Sequence, residues 1–304
     1  MKGKNIVVTG GAGFIGSNLV EFLSKDNKVT VLDNLHTGSR KNLDNAGKGV
    51  NFINGDARDI VKINEKADFV FHLGFYSASP MYRENPHRVA DVIDGMISVL
   101  EYARKNDSGV VFSSTSSIYN GVKPPHRENI IPNVTDFYTE GRIGAERVSQ
   151  LYNNLYGMNI SAMRFFSVYG YHEDAKGGYA NLATQFLKDI IAERQPVIYG
   201  NGEQRRDFVF VTDVVDALIR ATSSKGYEVY NVGSGINYSL NELVDKINRM
   251  LGKSIKPSYI KMPVKNYVME TLADTEKAQK KLGFKATVTL DEGLEKLKRY
   301  YGVK

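Results

Sequence analysis

Cysteine is absent from this sequence of 304 residues. Its absence excludes a disulfide scaffold, thiolate zinc sites, iron–sulfur clusters and a cysteine nucleophile. No apolar run approaches the roughly 20 residues that a membrane-spanning helix needs. The chain enters an apolar segment within a few residues of its start, which leaves no room for the regions of a signal peptide. The sequence therefore predicts a cytoplasmic protein without a membrane partner.

The charge of the chain is modestly positive. Its Lys and Arg residues number 40 against 34 Asp and Glu residues, which gives a formal net charge of +6. The basic residues are scattered among acidic ones, and the stretch 292–304 mixes both signs at helical spacing, as a solvated helix face does. We therefore expect no nucleic-acid partner, because an anionic small molecule accounts for the excess equally well.

Short apolar runs alternate with helical periodicity through the first half of the chain. Runs without polar alternation predict strands buried on both faces, as in a parallel sheet covered by helices. Repetition of strand and helix at this pitch predicts a doubly wound α/β architecture, the Rossmann fold. The predicted strands are 5–8, 28–32, 50–53, 68–71, 109–112 and 160–165, and the predicted helices are 13–23, 89–102 and 136–156.

The second half of the chain has a looser pattern, with frequent Gly and Pro. It predicts helices over 182–192 and 240–251 without regular strands between them. We expect a dinucleotide-binding domain over residues 1–166 and a smaller mixed α/β substrate domain over residues 167–304. A segment near 208–232 is expected to return to the first domain.

A glycine-rich loop joins the first predicted strand to the first predicted helix. It reads TGGAGFIG from Thr9 to Gly16. In such a loop Gly10 permits the tight turn, Gly13 lets the backbone approach a pyrophosphate, and Gly16 allows close packing of helix on strand. The N–H groups and dipole of the helix then face the anion. This context predicts a dinucleotide site.

The end of the second predicted strand bears on the choice of dinucleotide. Asp33 stands there, where a carboxylate accepts hydrogen bonds from the adenosine ribose and repels a 2′-phosphate. This position favours NAD over NADP. Arg40 and Lys41 lie nearby in the sequence and keep NADP open.

Further motifs run along most of the chain: GDARD at 55–59, FHLG at 71–74, SSTSSIY at 113–119, MRFFSVYG at 163–170, RDFVFV at 206–211 and AD at 273–274. With the glycine loop, they resemble the extended short-chain dehydrogenase/reductase superfamily. Within it, the chain is most similar to the NAD-dependent sugar-nucleotide epimerases and dehydratases of the UDP-glucose (UDP-galactose) 4-epimerase type. The resemblance implies NAD as cofactor and a UDP-sugar as substrate. It also implies a homodimer joined through the helices that hold 89–102 and 140–156.

The resemblance assigns a cofactor site that extends beyond the glycine loop. Asp56 and Ala57 would border the adenine, Leu73 and Gly74 the cofactor backbone, and Phe165 the nicotinamide end. The implied cofactor-binding residues are Gly10, Gly13, Phe14, Ile15, Gly16, Asp33, Asn34, Asp56, Ala57, Leu73, Gly74, Tyr138, Arg142 and Phe165.

The family's chemistry uses a tyrosine with a lysine four residues later on a helix, together with an upstream Ser or Thr. Positions i and i+4 share a helix face, so the cation lies beside the phenol and favours its phenolate form. Two literal matches to this spacing occur, at 119–123 and 300–304. We reject both, because the first contains a glycine and runs into two prolines, and the second lies at the terminus.

The predicted catalytic pair is Tyr138 and Arg142, in a long helical pattern that follows the predicted catalytic Thr115. Arg142 departs from the family's lysine. Arginine keeps the positive charge, but its planar head is bulkier and never deprotonates. Two interpretations stay open here: a working pair, or a noncatalytic or weakly active NAD(H)-binding protein.

The residues that follow Thr115 limit which reactions of the family this chain is expected to catalyse. By the resemblance, 4,6-dehydratases carry Asp-Glu after this threonine and UDP-glucuronate decarboxylases carry a Glu in the turn, whereas this chain has Ser116 and Ser117. The sequence therefore predicts inversion at C4 through a transient 4-keto sugar. The expected substrates are UDP-glucose and UDP-galactose or their N-acetyl forms, with a different sugar-nucleotide epimerase or reductase as an alternative.

The resemblance also implies contacts to the substrate. Arg206 matches a diphosphate-binding arginine, Tyr199 an aromatic near uracil, and Ser167 stands where many relatives have asparagine. The implied substrate-binding residues are Ser77, Ser79, Thr115, Ser167, Asn181, Leu182, Tyr199 and Arg206. The five histidines show no metal-ligand spacing, so we predict no metal site.

Overall fold

The computed structural model describes residues 1–133, 135–263 and 265–303. The strands in chain order are β1 Asn5–Thr9, β2 Lys28–Asp33, β3 Val50–Asn54, β4 Phe69–His72, β5 Gly109–Thr115, β6 Ile160–Phe165, β7 Ser167–Tyr169, β8 Val197–Tyr199, β9 Arg205–Phe210, β10 Tyr227–Val232, β11 Asn237–Ser239 and β12 Ser258–Ile260. The α-helices are α1 Phe14–Leu23, α2 Ser79–Glu84, α3 Arg88–Asn106, α4 Phe137–Tyr156, α5 Leu182–Ile191, α6 Val211–Ala221, α7 Leu240–Leu251, α8 Glu276–Leu282 and α9 Leu290–Tyr300.

A seven-stranded sheet forms the centre of the molecule, with the strand order β10-β6-β5-β4-β1-β2-β3. Every pairing within it is parallel. The order reverses between β1 and β4, and open α/β sheets bind their ligands outside the carboxyl ends of the strands at such a point. The predicted fold class, a doubly wound α/β fold, is confirmed.

Helices cover both faces of this sheet. Alternate residues of β1 enter different cores: Ile6 and Val8 belong to one cluster, and Val7 belongs to the other. The first cluster takes in buried residues of α1, α5, α6, α7 and α9, and the second takes in those of α3 and α4. Because successive side chains of a strand point to opposite faces, the short apolar runs had to be buried on both sides.

The second half of the chain contains strands that the sequence analysis did not expect between α5 and α7. β8, β9, β10 and β11 all lie there, so the expectation of no regular strands is wrong. β7, β9 and β11 form a small mixed sheet, β8 pairs with β12, and β10 joins the central sheet beside β6. The division of the chain into domains at residues 166 and 167 stays a prediction.

The predicted helices lie where the sequence placed them, whereas α2, α6 and α8 were not predicted. α7 has its predicted bounds, whereas α3 extends past the predicted 102 to Asn106, where Asp107 ends it with a left-handed φ of 56°. Within the described part of the chain, no helix is both long and apolar enough to cross a bilayer.

Candidate active site

A cavity of about 730 Å³ opens at the carboxyl ends of the central strands, where the strand order reverses. It brings together almost all of the residues that the sequence analysis assigned to a site. The predicted residues in its wall are Gly10, Gly13, Phe14, Ile15, Gly16, Asp33, Asn34, Asp56, Ala57, Leu73, Gly74, Ser77, Ser79, Thr115, Tyr138, Arg142, Phe165, Ser167, Asn181, Tyr199 and Arg206. Leu182 is not among the wall residues; it begins α5 and packs against the first core cluster.

The glycine loop forms a cradle in the wall of this cavity. A Cβ atom on Gly10 would lie 2.6 Å from the Cα atom of Gly74, and one on Gly16 would lie 2.1 Å from the carbonyl oxygen of Gly10. Gly13 caps the start of α1, where the described residues provide neither a side-chain cap nor an acidic residue in the first turn. The helix start is therefore open to an anion, and the loop fits the pyrophosphate of a dinucleotide.

Asp33 ends β2 at the cavity wall. Its carboxylate accepts hydrogen bonds from the N–H groups of Ala12 at 2.9 Å and Leu35 at 2.7 Å. Burial raises the pKa of Asp33, and these N–H groups oppose that rise. Because a carboxylate offers roughly four acceptor positions, capacity remains for the hydroxyls of a ribose.

Two further polar groups line the same end of the cavity. The carboxylate of Asp56 accepts from the N–H and the Nε of Arg58, at 3.2 and 2.9 Å, and it begins the 3-10 turn Ala57–Lys62. The side chain of Asn34 accepts from the N–H of His36 at 3.0 Å. Both side chains thus hold the shape of the loops that would surround the adenosine.

Arg40 and Lys41 lie apart from this wall. The guanidinium carbon of Arg40 is 4.4 Å from the ring centre of Phe52, and neither basic residue is among the described residues that line the cavity. The neighbourhood of Asp33 therefore presents a carboxylate rather than a cation to the ribose, which suits NAD.

Tyr138 stands in the first turn of α4, and that turn is fixed by the cap before it. Asp136 accepts from the N–H of Thr139 at 2.8 Å and from the hydroxyl of Ser79 at 2.5 Å. Opposite it, the hydroxyl oxygen of Thr115 accepts from the N–H of Ser117 at 3.1 Å and caps a 3-10 turn. Strand β5 and helix α4 thus bring a threonine and a tyrosine to one wall of the cavity.

Arg142 lies one helical turn after Tyr138 and is only 4% exposed. Its guanidinium carbon is 5.2 Å from the centre of the Tyr138 ring. Its two terminal nitrogens donate to the main-chain carbonyls of Ser113 at 3.2 Å and Tyr76 at 2.9 Å. The cation is therefore held inside the site, over the face of the phenol.

His72, at the end of β4, is fully buried and lies within reach of the charge of Arg142. Burial, and after it the charge of Arg142, lowers the pKa of His72 to about 3, so the imidazole is neutral at physiological pH. Its Nδ1 forms a hydrogen bond of 2.6 Å with the hydroxyl of Thr9, and its buried Nε2 has no partner among the described residues. The histidine near Arg142 is thus neutral and adds no second cation to the site.

A second arginine marks the far end of the cavity. Arg206 donates to the main-chain carbonyls of Val268 at 2.5 Å and Met269 at 3.3 Å, and its guanidinium carbon is 5.3 Å from the ring centre of Tyr267. Burial lowers the pKa of Arg206. Carbonyls and a ring orient this guanidinium without neutralising it, so its charge suits a phosphate group.

The other predicted substrate residues stand on loops and element ends around this cavity. Asn181 caps α5 by accepting from the N–H of Ala183 at 2.9 Å, Tyr199 ends β8 with 37% exposure, and Ser167 begins β7. The hydroxyl of Ser79 is already bonded to Asp136, which makes it a support of α4 as well as a wall residue.

Known proteins are similar to this chain along most of its length. The model of the NAD dependent epimerase/dehydratase family matches residues 6–233. The chain is 34% identical to a UDP-glucuronate 4-epimerase of Thermodesulfobacterium geofontis, covering 95% of this chain and 94% of that protein. The chain belongs to the NAD dependent epimerase/dehydratase family.

Solved structures agree with this membership. A UDP-N-acetylglucosamine 4-epimerase from Methanobrevibacter ruminantium, in complex with UDP-N-acetylmuramic acid, has a TM-score of 0.92 and 32% identity, over 99% of this chain and 100% of that chain. A UDP-glucose 4-epimerase from Thermotoga maritima, solved with UDP-glucose, has the same TM-score and identity over 98% of both chains. The predicted family is confirmed, and so is NAD as its cofactor.

Some residues of the cavity wall match no motif of the family, so the sequence did not mark them as part of the site. Phe75 and Tyr76 directly follow the predicted Leu73-Gly74, but they match no motif that marks them as functional. The wall residues that the sequence analysis did not assign to the site include His36, Phe75, Tyr76, Arg83, Asp136, Lys176, Tyr179, Lys265, Asn266 and Tyr267. Their position next to a motif was the one sequence signal for Phe75 and Tyr76, and residues 265–267 had no such signal.

Tyr119, which the sequence analysis rejected as the family's catalytic tyrosine, is 1% exposed and is not among the described wall residues. Its hydroxyl donates to Asn231 at 2.7 Å and accepts from Arg164 at 2.8 Å. Burial raises the pKa of Tyr119, so this phenol stays neutral. Its contacts are those of a structural residue between β5 and β10.

Proposed function

We propose that this protein is an NAD-dependent epimerase that interconverts UDP-glucose and UDP-galactose, or their N-acetyl forms, by inversion at C4. One observation carries the proposal. The ring of Tyr138, with the guanidinium of Arg142 over it, lines the same cavity as the glycine cradle and Thr115. A phenol, a cation and a dinucleotide site in one cavity are the groups that reversible oxidation of a sugar alcohol requires.

Tyr138 is the proposed acid and base of the reaction. When bound, NAD supplies the acceptor and the donor of hydride for C4 of the sugar. The phenolate of Tyr138 accepts the proton of the 4-hydroxyl as the C4–H bond breaks, and returns it when that bond forms again on the other face. Thr115 hydrogen-bonds the same hydroxyl, and Arg142 stabilises the phenolate by its charge.

The polarity of the cavity wall supports epimerisation over elimination or decarboxylation. Ser116 and Ser117, which follow Thr115, line the cavity, and neither is acidic. The wall also includes the cations Arg83, Lys176, Arg206 and Lys265. We assign the diphosphate to Arg206 and its neighbours, and the cofactor and substrate contacts to the wall residues given above, with Leu182 acting through the start of α5.

The alternative, a noncatalytic NAD(H)-binding protein, came from the exchange of lysine for arginine at position 142. An arginine without a role in the site would be expected to extend into solvent. Arg142 is buried against Tyr138 instead, with two main-chain hydrogen bonds. This environment supports the enzyme.

The proposal is tested by incubating the purified protein with UDP-glucose, UDP-galactose, their N-acetyl forms and UDP-glucuronate, and following the products by chromatography. We expect interconversion at C4 for at least one pair. Tyr138→Phe removes the proton carrier, so its turnover should fall by about 10²-fold or more.

Tyr156→Phe is the matched control, because Tyr156 is on the same helix, 52% exposed and outside the described cavity wall. It should keep wild-type turnover. Conversion of no sugar nucleotide by the wild type would contradict the proposed function, and full activity of Tyr138→Phe would contradict the assignment of the residue.

A further inference from the structure

The ring of Phe75 lies against the cation of the proposed active site. The guanidinium carbon of Arg142 is 4.1 Å from the centre of this ring, closer than it is to the ring of Tyr138 at 5.2 Å. Phe75 also contacts His72, with 4.0 Å between the two ring centres. The mechanism described above does not use Phe75, although it lines the cavity and contacts one of the catalytic groups.

The edges of the same guanidinium are held by the main chain. The carbonyls of Ser113 and Tyr76 accept from its two terminal nitrogens, and the Tyr76 carbonyl also accepts from the hydroxyl of Tyr82 at 3.1 Å. The buried Nε of Arg142 has no partner among residues 1–133, 135–263 and 265–303. The ring and the carbonyls together fix the plane of the cation and leave its Nε–H without a partner among the described residues.

We propose that Phe75 is a positioning residue, whose ring holds the guanidinium of Arg142 in place over the Tyr138 phenol. It thereby allows an arginine to serve where the family pattern has a lysine. The proposal rests on the proposed function, because it concerns the ionisation of the same tyrosine.

The physical reason lies in the shape of the two cations. An ammonium is a compact charge that its own hydrogen bonds can orient, whereas a guanidinium is a flat plate that stacks on aromatic faces. The hydrogen bonds to two carbonyls hold one edge of the Arg142 guanidinium within its plane. They still permit the guanidinium to tilt about that edge. The Phe75 ring covers a face of the guanidinium. This contact keeps the positive charge near the Tyr138 phenol and keeps water from screening that charge.

Three other titratable groups near Tyr138 are uncharged or hydrogen-bonded. Tyr82, from α2, has its ring centre 5.4 Å from that of Tyr138, and burial raises its pKa to about 12. His72, at the end of β4, has a pKa of about 3 because of burial. The carboxylate of Asp136 is bonded to Ser79 and to the N–H of Thr139 at the start of α4.

Two more side chains belong to the surroundings of Tyr138. Tyr76, in the loop after β4, stacks under Arg88 at the start of α3, with 4.1 Å from the guanidinium carbon to the ring centre. Arg142 is therefore the cation that lies directly over Tyr138, and a change in its position should appear in the ionisation of that phenol.

The first measurement follows tyrosinate absorbance against pH and needs no activity. The chain has 18 tyrosines, so the signal of Tyr138 is obtained by subtracting the titration of Tyr138→Phe from that of the parent. In Phe75→Leu and Phe75→Met, each measured against its own Tyr138→Phe variant, we expect the pH midpoint of the Tyr138 ionisation step to rise by about 0.5–1 pH unit. Phe75→Tyr keeps the ring and should restore the wild-type step.

The second measurement is the pH profile of kcat. In Phe75→Leu the acid limb should move in the same direction, and kcat at neutral pH should fall about threefold to tenfold. In an Arg142→Lys background the same substitution should change kcat less than twofold, because no guanidinium plate is left to hold. Phe22→Leu is the control, since Phe22 has Lys25 at 6.0 Å from its ring centre and is not among the described wall residues.

Each outcome decides the matter. A Tyr138 step that stays in place in both Phe75→Leu and Phe75→Met would overturn the proposal and leave Phe75 a packing residue. Equal losses of kcat in the wild-type and Arg142→Lys backgrounds would overturn it as well. If the wild type converts no sugar nucleotide, the proposed function fails, while the absorbance titration still decides the role of Phe75.

Discussion

Around Tyr138, charge is concentrated on one side chain and removed from its neighbours. Arg142 cannot lose its proton, whereas burial keeps His72 uncharged near it. A second positive charge so close would favour the phenolate further, but it would also cost stability by repulsion within a buried site. The neutral histidine therefore adds no second positive charge beside the arginine.

This burial makes a prediction about stability against pH. The pKa of His72 is about 3 in the folded chain and about 6.5 in the unfolded chain, so the unfolded chain binds more protons between these values. Stability therefore rises with pH through this window and is lost as pH falls below about 6.5, by at most about 1.4 kcal/mol per pH unit from this residue. Urea unfolding at pH 7.5, 6 and 5 measures it.

The comparison is with His72→Asn, which removes the titrating group and keeps a polar partner for Thr9. Its free energy of unfolding should depend less on pH than that of the wild type, whereas the exposed His87→Asn should keep the wild-type slope. Identical slopes for all three proteins would show that His72 is protonated within the fold.

Single residues differ in how far the sequence reveals them. The glycines of the loop could be predicted as a cradle, because their spacing follows from the path of the backbone around a phosphate. The contact of Phe75 with Arg142 could not, because it joins side chains 67 positions apart that become neighbours only when the loop after β4 meets α4 in the folded chain. Arg142 itself stood out only as a departure from a pattern.

At the scale of elements, the start of α4 connects stability to the site. Asp136 caps this helix and receives the hydroxyl of Ser79 from the start of α2. The cap therefore fixes both the first turn that carries Tyr138 and the neighbouring short helix. A local capping interaction sets the position of the proposed acid and base.

Asp136→Ala should lower the free energy of unfolding by about 1 kcal/mol, the typical value of an N-cap. It should also reduce kcat several-fold, because the first turn of α4 loses the bond that orients it. Urea unfolding and turnover measure the two effects. Thr289→Ala removes the cap of α9 and should lower stability similarly with turnover unchanged, so a parallel loss of activity in both variants would contradict the role of the α4 cap.

The elements of the central sheet were predictable for a physical reason. β1 and β6 are rich in apolar residues and almost entirely buried because both of their faces are covered, and this burial leaves a signal in the sequence. β8, β11 and β12 have three residues each, too few to show a period of two. Their pairing depends on segments distant in the chain, which local patterns do not record.

At the scale of the whole molecule, one surface carries apolar side chains toward solvent. Ile97 on α3 is 38% exposed, and Leu151, Leu155 and Tyr156 on α4 are 51%, 61% and 52% exposed. We propose that this surface joins two copies of the chain, as the family resemblance implies. Burial of such a patch is a common basis for a symmetric dimer.

Light scattering after size-exclusion chromatography should therefore give a mass of about twice the 33.9 kDa chain. Leu151→Glu combined with Leu155→Glu places charge in the proposed interface and should give the monomer. Ile236→Glu, at a residue that is 56% exposed but outside both helices, should leave the dimer intact. A wild type that elutes as a monomer would contradict the proposed dimer.

Strand β10 has a consequence for how the chain is completed. It follows β6 by 61 residues, measured from the end of one strand to the start of the next, and covers an edge whose residues are all buried in the finished sheet. During synthesis, one edge of β6 therefore stays unpaired until residues 227–232 have left the ribosome. A chain that ended at residue 166 would lack β10, so this edge of β6 would stay unpaired permanently.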